Sequence, residues 1–261
     1  MNVLVTGGNG YIARSLVNAL GDQYNITSIT RDNFDLTDPV ATSNWLRGMY
    51  FDVVLHTAIV GGNRMENDTQ DVIDKNLMMY YNLLSNRSHY GKFINFGSGA
   101  EQFQKDTPYG ISKKIISDSV TDKENFYNIR IFGVFDEHEL DRRFIKSNVI
   151  RYIKKEPIIL HCNKVMDFFY IEDFVNVVKY YIENDDLSKS AQCCYREKYT
   201  LKGIADMINN LSDHTVPIIV EDDEMCPGYF GETILPPIDT KGIEYGIRKT
   251  YDSLSDIKEL Q

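Results

Sequence analysis

The chain begins Met1-Asn-Val-Leu-Val-Thr-Gly-Gly-Asn-Gly-Tyr-Ile-Ala-Arg14, and its architecture can be worked out from this segment. Residues 3–5 form a short apolar run that predicts a buried strand, and residues 11–20 carry apolar side chains at helical spacing. Gly7, Gly8 and Gly10 form the turn between them. A strand, a glycine turn and a helix in this order are typical of a dinucleotide-binding βαβ unit, with an ordinary glycine-rich turn as the alternative.

Glycine suits this turn for two reasons. One glycine allows the tight turn, and another lets the backbone approach a pyrophosphate without a Cβ in the way. The helix that follows offers backbone N–H groups and the positive end of its dipole to the phosphates. The segment therefore predicts that the first domain binds a dinucleotide cofactor.

Composition and charge limit the classes of function. The 261 residues carry a formal net charge of −10, which argues against a nucleic-acid-binding surface because phosphate binding needs clustered Lys and Arg. No apolar run is long enough for a membrane helix, and no signal peptide is predicted because the first residues already form a core strand. The protein is expected to be cytoplasmic, without a metal site, and with four reduced, buried cysteines: Cys162, Cys193, Cys194 and Cys226.

Apolar periodicity and turn residues predict alternating strands and helices in the first half of the chain. The predicted strands after the first are 25–30, 51–58, 91–96 and 126–135. The predicted helices after the first are 38–49 and 109–120, which begin at the pairs Asp38-Pro39 and Thr107-Pro108, and the long helix Glu66–Arg87. This alternation predicts a Rossmann-type doubly wound parallel sheet.

The pattern is less regular after residue 136. Helices are predicted over 142–154, 172–182 and 201–211, strands over 158–161, 166–171 and 216–220, and mostly loop over 222–246, where prolines and glycines concentrate. We therefore expect a cofactor-binding domain over residues 1–160, with residues 166–185 packed back on it. Residues 161–261 are expected to form a small α+β substrate lobe.

The tip of the second strand bears on the choice of cofactor. Arg31 follows this strand directly, and an Arg at that place suits the 2′-phosphate of NADP. Asp32 is its neighbour, and an acidic residue there would instead accept a bond from the ribose 2′-hydroxyl of NAD. The sequence favours NADP, with NAD as the alternative and a solvated loop charge as the non-functional interpretation of Arg31.

Three polar residues form the candidate catalytic group. Tyr109 and Lys113 are four residues apart in a predicted helix, so they project from one face, and Ser98 ends the preceding strand. A carbonyl reduction needs a proton donor and stabilisation of the developing oxyanion. Tyr109 could donate the proton, Lys113 could lower the pKa of that phenol, and Ser98 could hydrogen-bond the substrate oxygen. A Tyr-x-x-x-Lys pair taken alone is common by chance, and the strand-end serine and the glycine turn are what favour catalysis.

In its ordered set of motifs the sequence resembles the extended short-chain dehydrogenase/reductases that act on nucleotide sugars. The resemblance covers residues 1–180 and rests on these segments: Thr6–Gly10, His56–Ala58, Ser98, Tyr109 with Lys113, Arg130–Gly133 and Asp167–Asp173. It implies that Ser98, Tyr109 and Lys113 are catalytic and that Asn76 supports the lysine through water. It also implies that the cofactor is held by Gly7, Gly10, Tyr11, Ile12, Asp35, Leu36, Thr57 and Ala58, together with Tyr109 and Lys113.

Within that family, Val60-Gly-Gly-Asn63 after His56-x-Ala58 is most similar to the GDP-fucose synthase branch, which reduces 4-keto nucleotide sugars with NADPH. Val60, Gly61, Arg142 and Arg143 would then lie near the substrate. The branch has a Cys where this chain has Ala100, and a His where Arg142 and Arg143 stand. These departures predict reduction without epimerisation.

Two other functions are consistent with parts of the pattern, and a third is disfavoured by it. An NAD-dependent nucleotide-sugar epimerase would share the same Ser, Tyr and Lys. A dehydratase is disfavoured because Gly99-Ala100 follows Ser98 where that subfamily has Asp-Glu. A non-enzymatic NADP sensor would not need a proton donor. The resemblance also implies a homodimer formed through the helices Glu66–Arg87 and Tyr109–Val120.

Overall fold

The computed structural model describes residues 1–62 and 68–259, and the chain divides into two units. The first comprises Met1–Ile131 and Val177–Ala191, and the second comprises Phe132–Asn176 and Gln192–Gln261. The division falls at residue 131 within the segment that the sequence analysis assigned to one domain over residues 1–160. The segment that returns to the first unit, residues 177–191, overlaps the stretch expected to pack back on it.

The first unit alternates strands and helices. Its elements run β1 Asn2–Thr6, α1 Tyr11–Leu20, β2 Asn25–Ile29, α2 Pro39–Leu46, β3 Phe51–His56, α3 Asp71–Ser85, a 3₁₀ turn Arg87–His89, β4 Tyr90–Ser98, α4 Ala100–Phe103, α5 Pro108–Thr121 and β5 Phe126–Ile131. Asp38 caps α2 and Thr107 caps α5 through their side-chain oxygens, as predicted. The short α4 and the 3₁₀ turn were not predicted.

The second unit holds shorter strands. Its elements are β6 Val134–Phe135, α6 Phe144–Ile153, β7 Ile158–Asn163, β8 Phe169–Tyr170, α7 Ile171–Glu183, β9 Ser190–Cys193, α8 Leu201–Asn209, β10 Ile218–Met225 and α9 Ile243–Glu259. Two of these elements are shared between the units: α7 ends in the first unit, and β9 begins there. Within this unit β7 pairs with β10 and β6 with β8, both in parallel.

The main sheet has the strand order β2-β1-β3-β4-β5-β9 among the described residues. The pairs β1–β2, β1–β3, β3–β4 and β4–β5 are all parallel. The order reverses direction between β1 and β3, which makes this the topological switch point where open α/β sheets bind ligands. The sequence prediction of a doubly wound parallel sheet is confirmed.

The core follows from the apolar runs. Val3, Leu4 and Val5 of β1 have no exposed surface, because both faces of a central parallel strand are covered by helices. Ala13 of α1 is also fully buried, where a small side chain keeps the helix close to the sheet. An aromatic group that includes Tyr80, Phe93 and Phe126 fills one side.

Four predicted elements differ clearly from the structure. The strand predicted over 126–135 is divided into β5 of the main sheet and β6, which pairs with β8. The strand predicted over 166–171 is reduced to Phe169–Tyr170, because Met166 pairs only through an isolated bridge to Tyr229. The helix predicted over Glu66–Arg87 is described as Asp71–Ser85, and its predicted start, like Asn63, lies outside the described residues. The loop predicted over 222–246 contains the end of β10 and the start of α9.

The glycines of this stretch predicted a loop where the structure has the start of α9. A Cβ on Gly246 would lie 2.7 Å from the Tyr170 ring and 2.8 Å from the Phe135 ring, so this glycine allows α9 to pack closely within the second unit. Glycine normally lowers helix propensity, and here the packing contact outweighs that local preference.

The expectation that all four cysteines are reduced is wrong for one pair. Cys162 and Cys226 form a disulfide, whereas Cys193 and Cys194 are free and buried. The parallel pairing of β7 with β10 brings the two Cα atoms to 6.1 Å, although 64 residues separate them in the chain. No helix among the described residues is long and apolar enough to cross a membrane.

Candidate active site

The glycine turn follows β1 at the switch point. Gly7 has a φ of +70°, and a Cβ there would lie 2.7 Å from the Ala58 Cα, so this position needs glycine for both conformation and space. A Cβ on Gly8 would lie 2.3 Å from the Ser28 hydroxyl. Gly10 precedes α1, and that helix has no side-chain cap. The turn therefore fits the cradle that a pyrophosphate requires, and Tyr11 and Ile12 begin the helix behind it.

The ends of β1 and β3 are tied together beside this turn. Thr6 Oγ1 accepts a hydrogen bond from the Ala58 N–H at 3.1 Å, and Thr57 Oγ1 donates to the Thr6 carbonyl. A 3.0 Å bond joins Thr6 Oγ1 to His56 Nδ1. Burial, aided by the charge of Lys113, lowers the pKa of His56 to about 3, so its ring is neutral near pH 7. These bonds hold Thr57 and Ala58 next to the glycine turn.

The loop after β2 carries the residues expected at the adenosine end of the cofactor. Arg31 is exposed directly beyond this strand. The carboxylate of Asp35 accepts hydrogen bonds from the Thr37 backbone and hydroxyl, which lower its pKa, and the charge of Arg31 adds a smaller effect. The Leu36 side chain is buried in the apolar core, and its carbonyl accepts a bond from Asn82.

Ser98 lies at the carboxyl end of β4, where the strand turns into α4. The Ala100 N–H donates to Ser98 Oγ at 3.1 Å, so the hydroxyl hydrogen is not used by this bond and can be donated elsewhere. The Ser98 N–H donates to a carboxylate oxygen of Glu101 at 2.8 Å. The structure thus places this serine in a tightly bonded turn.

Tyr109 and Lys113 lie one turn apart on α5, as predicted. The Lys113 Nζ lies 5.7 Å from the centre of the Tyr109 ring, within the range of a cation–π contact. It also donates a hydrogen bond of 2.6 Å to the Phe96 carbonyl of β4. A Cβ on Gly62 would lie 2.8 Å from the Tyr109 ring, so the loop after β3 packs directly against that ring. Contacts with β4 and with the loop after β3 therefore hold Tyr109 and Lys113 of α5 in place.

Burial changes the acidity of the lysine. Lys113 is 6% exposed, and its removal from water lowers its pKa to about 8, an effect that the negative charge of Glu101 partly opposes. An ammonium with such a pKa is still mostly protonated near pH 7, so Lys113 carries a positive charge beside the Tyr109 ring.

Asn76 joins three segments of the first unit. Its side-chain amide donates to the Val60 carbonyl and to Ser112 Oγ, both at 3.0 Å, and its side-chain oxygen accepts from the Val60 N–H at 2.9 Å. Asn76 therefore holds the loop after β3 against α5. Its expected support of Lys113 stays a prediction.

The other residues expected near the substrate lie in two places. Gly61 follows Val60 in the loop after β3 and has a φ of +82°, and a Cβ there would lie 2.6 Å from the Asp68 carboxylate. Arg142 and Arg143 belong to the second unit, where both are exposed and Arg143 immediately precedes α6. In the same unit the buried Asp167 accepts hydrogen bonds from Lys198 and from the Gly231 N–H.

Sequence reasoning overlooked Glu101. This carboxylate is almost fully buried in α4 and bonds both the Ser98 backbone and Arg130 of β5. The sequence contained a signal for this ion pair. Glu101 comes three residues after the serine that ends β4, and Arg130 lies in the next strand, so their side chains can meet across the two neighbouring parallel strands. Among the described residues, no group of three or more His, Cys, Asp or Glu side chains could hold a metal ion.

Comparison with known proteins places the chain in a family. The pattern that defines the NAD dependent epimerase/dehydratase family matches residues 3–193. The match covers well over half of the chain, and this protein therefore belongs to the NAD dependent epimerase/dehydratase family. The resemblance inferred from the sequence motifs is confirmed, and with it the expectation of an enzyme.

Similar proteins carry related names. The chain is 22% identical over 262 residues to CDP-abequose synthase of Yersinia pseudotuberculosis, an alignment that covers 88% of this chain and 92% of the other. The fold is similar to that of GDP-mannoheptose C4 reductase from Campylobacter jejuni with NADP bound, with a TM-score of 0.80, 17% identity, and coverage of 96% and 97%. It is also similar to UDP-glucose 4-epimerase from Thermotoga maritima, with a TM-score of 0.79, 17% identity and full coverage of both chains.

Proposed function

We propose that this protein reduces the 4-keto group of a nucleotide-activated deoxysugar and uses NADPH. The observation that carries the proposal is the buried ammonium of Lys113 beside the Tyr109 ring on the same helix. Two similar proteins support it by name: a CDP-abequose synthase and a GDP-mannoheptose C4 reductase with NADP bound.

Three residues of the chain have separate proposed roles in the reduction. The cofactor supplies a hydride when it is bound. Ser98 donates its hydroxyl hydrogen to the carbonyl oxygen and orients the carbonyl. Tyr109 transfers its phenolic proton to that oxygen, so that the ketone becomes an alcohol and the phenolate remains. Lys113 stabilises the phenolate, which lowers the pKa of Tyr109, and can hydrogen-bond the cofactor ribose.

The glycine turn and its neighbours are proposed to hold the cofactor. Gly7 and Gly10, with Tyr11 and Ile12 at the helix start, would bind the pyrophosphate. Thr57 and Ala58 would lie along the cofactor, and Asp35 and Leu36 would lie near the adenine. The buried side chain of Leu36 limits that contact to its backbone, and Arg31 would bind the 2′-phosphate.

The choice of NADP makes one prediction. Arg31→Ala should narrow the gap between NADPH and NADH affinity by about tenfold or more, because a charge-assisted Arg–phosphate contact is lost while NADH binding loses little. Fluorescence titration with both cofactors measures the change. Arg47→Ala is the control, since it removes an exposed Arg whose side chain bonds the Asn44 side chain at the end of α2, and it should leave both affinities unchanged. Equal affinities in the unmodified protein would favour the NAD-dependent epimerase, which the acidic Asp32 would suit.

The second prediction separates simple 4-keto reduction from reduction combined with epimerisation at carbon 3 or carbon 5. Inversion beside a 4-keto group needs one group to remove a proton and another to return one on the opposite face. Ala100 carries only a buried methyl group, and the side chains of Arg142 and Arg143 stay protonated. None of these three residues can therefore remove the proton. We expect substrate-dependent loss of NADPH absorbance with a 4-keto sugar on CDP, GDP, dTDP or UDP. In deuterated water without NADPH, we expect no enzyme-dependent deuterium uptake at carbon 3 or carbon 5.

The deuterium experiment has a defined opposite result. Uptake above a no-enzyme control would show that a base operates at the site, and it would support reduction combined with epimerisation at carbon 3 or carbon 5. His138 is the residue to replace in that case, because its side chain is mostly exposed in the second unit. His161→Gln, which changes another exposed His of that unit, is the matched control.

A homodimer formed through α3 and α5 is part of the proposal. Met78 and Tyr81 of α3 and Ile115 of α5 are exposed apolar residues that such an interface would bury.

A further inference from the structure

An ion pair between a buried carboxylate and a partly buried guanidinium lies beside the serine turn. Glu101 is 1% exposed, and its carboxylate accepts hydrogen bonds from Arg130 Nη2 at 2.6 Å and Nε at 2.9 Å. Its other oxygen accepts the Ser98 N–H at 2.8 Å. Three donors from two strands therefore converge on one carboxylate.

The sheet makes room for this carboxylate at one position. Gly97 is the partner of Arg130 in the β4–β5 register, and a Cβ on Gly97 would lie 2.3 Å from Glu101 Oε1. It would also lie 2.7 Å from Asn128 Nδ2, whose amide belongs to a chain of buried hydrogen bonds with Asn95 and Ser117. Gly97 and Arg130 thus lie side by side on β4 and β5, and the absence of a side chain at Gly97 leaves space for the Glu101 carboxylate.

Stability alone is a weak reason for such a pair. Taking two charges out of water costs about as much as their attraction returns, so apolar residues of similar size often serve as well. What the pair does contribute is geometry, because it fixes the turn in which Ser98 Oγ accepts the Ala100 N–H.

We infer that Glu101, held by Arg130, is a positioning residue that orients the Ser98 hydroxyl and presents a fixed negative charge to Lys113. The inference rests on the proposed function and deepens it. Among the described residues of the first unit, Lys113 donates to the Phe96 carbonyl of β4 and contacts the Tyr109 ring of its own helix. It also interacts electrostatically with His56 of β3 and Glu101 of α4. His56 is neutral near pH 7, which leaves Glu101 as the negative charge that opposes the effect of burial on Lys113.

Glu101→Gln in the full chain tests the inference. Gln keeps an acceptor for the Ser98 N–H but cannot neutralise Arg130. We expect kcat to fall about ten- to a hundredfold, since small displacements of a catalytic group have effects of this size. The KM for NADPH should stay the same, because the glycine turn is untouched. The alkaline limb of the kcat–pH profile should move to lower pH, because Lys113 loses the charge that raises its pKa.

Two further variants make the result specific. Asp118→Asn removes an exposed carboxylate from α5 that pairs with Lys114, and it should change neither kcat nor the pH profile. Glu101→Gln with Arg130→Met removes both charges of the pair, so it avoids an uncompensated guanidinium and should fold. We expect this double variant to keep the shifted pH profile and the lowered kcat.

A direct titration separates this inference from the proposed function. The pKa of Lys113 can be followed by NMR of nitrogen-labelled lysine, without any turnover. A lower pKa in Glu101→Gln supports the inference, even if no 4-keto sugar is reduced by either protein, in which case the proposed function is the part that fails. An unchanged Lys113 titration together with an unchanged kcat would overturn the inference.

Discussion

Tyr109→Phe should lower the turnover of 4-keto reduction by about two to four orders of magnitude, the usual scale for loss of a general acid. The substitution keeps the ring, so the close packing of Gly62 on it and the contact with Lys113 are preserved. Only the hydroxyl that carries the transferred proton is lost. NADPH binding should therefore change little, and the effect should appear in kcat and in single-turnover rates with the 4-keto sugar.

Tyr50→Phe is the matched control for this experiment. It removes the same hydroxyl from an exposed ring of the first unit and should leave turnover unchanged. Thermal unfolding of both variants should match the unmodified protein, which excludes a folding defect. Near-normal turnover in Tyr109→Phe would show that another group donates the proton and would refute the catalytic assignment.

Lys113→Met should lower turnover by about a hundredfold or more and should also weaken NADPH binding, because the lysine has two proposed roles. Met matches the length of the buried stem but carries neither charge nor donor. The Phe96 carbonyl loses the bond from Nζ, and the Tyr109 ring loses the ammonium that lies 5.7 Å from its centre. Stopped-flow turnover and cofactor titration measure the two effects separately. Lys114→Met, one residue away and exposed, is the control.

The same variant carries a prediction for the pH dependence of stability. Burial lowers the pKa of Lys113 from 10.5 to about 8, so the folded state releases this proton at a lower pH than the unfolded chain does. Where the unfolded chain holds more protons, the free energy of unfolding rises with pH. Relative to Lys113→Met, the unmodified protein should gain up to about 3 kcal/mol between pH 8 and 10.5. Urea unfolding at several pH values measures this, and a constant difference between the two proteins would contradict the buried ammonium.

The two largest effects come from one helix. Tyr109 and Lys113 share a face of α5, and the Thr107 cap with Pro108 sets where that helix begins. The activity assigned to the pair depends on surroundings contributed by β4, α4 and the loop after β3. A variant that shifts those surroundings, such as Glu101→Gln, should thus affect kcat without touching either residue.

Much of the site was predictable because its signals are local. The strand, glycine turn and helix of residues 1–20 need only neighbours in the chain, and so do the caps at Asp38 and Thr107. The spacing of Tyr109 and Lys113 follows from the helix period alone. These features depend on residues that are close together in the sequence, so side-chain chemistry and backbone preference decide the conformation.

Other features arise only when distant segments meet. The sequence by itself determined the parallel α/β order, the glycine turn and the catalytic candidates. Tertiary structure alone decided the Cys162–Cys226 disulfide, the bonds of Asn76 and the lowered pKa of Lys113. The physical reason is that burial and contact across strands depend on register and packing, which no short stretch of chain specifies. The pKa of Lys113, for example, is lowered only once packing in the folded structure buries its ammonium.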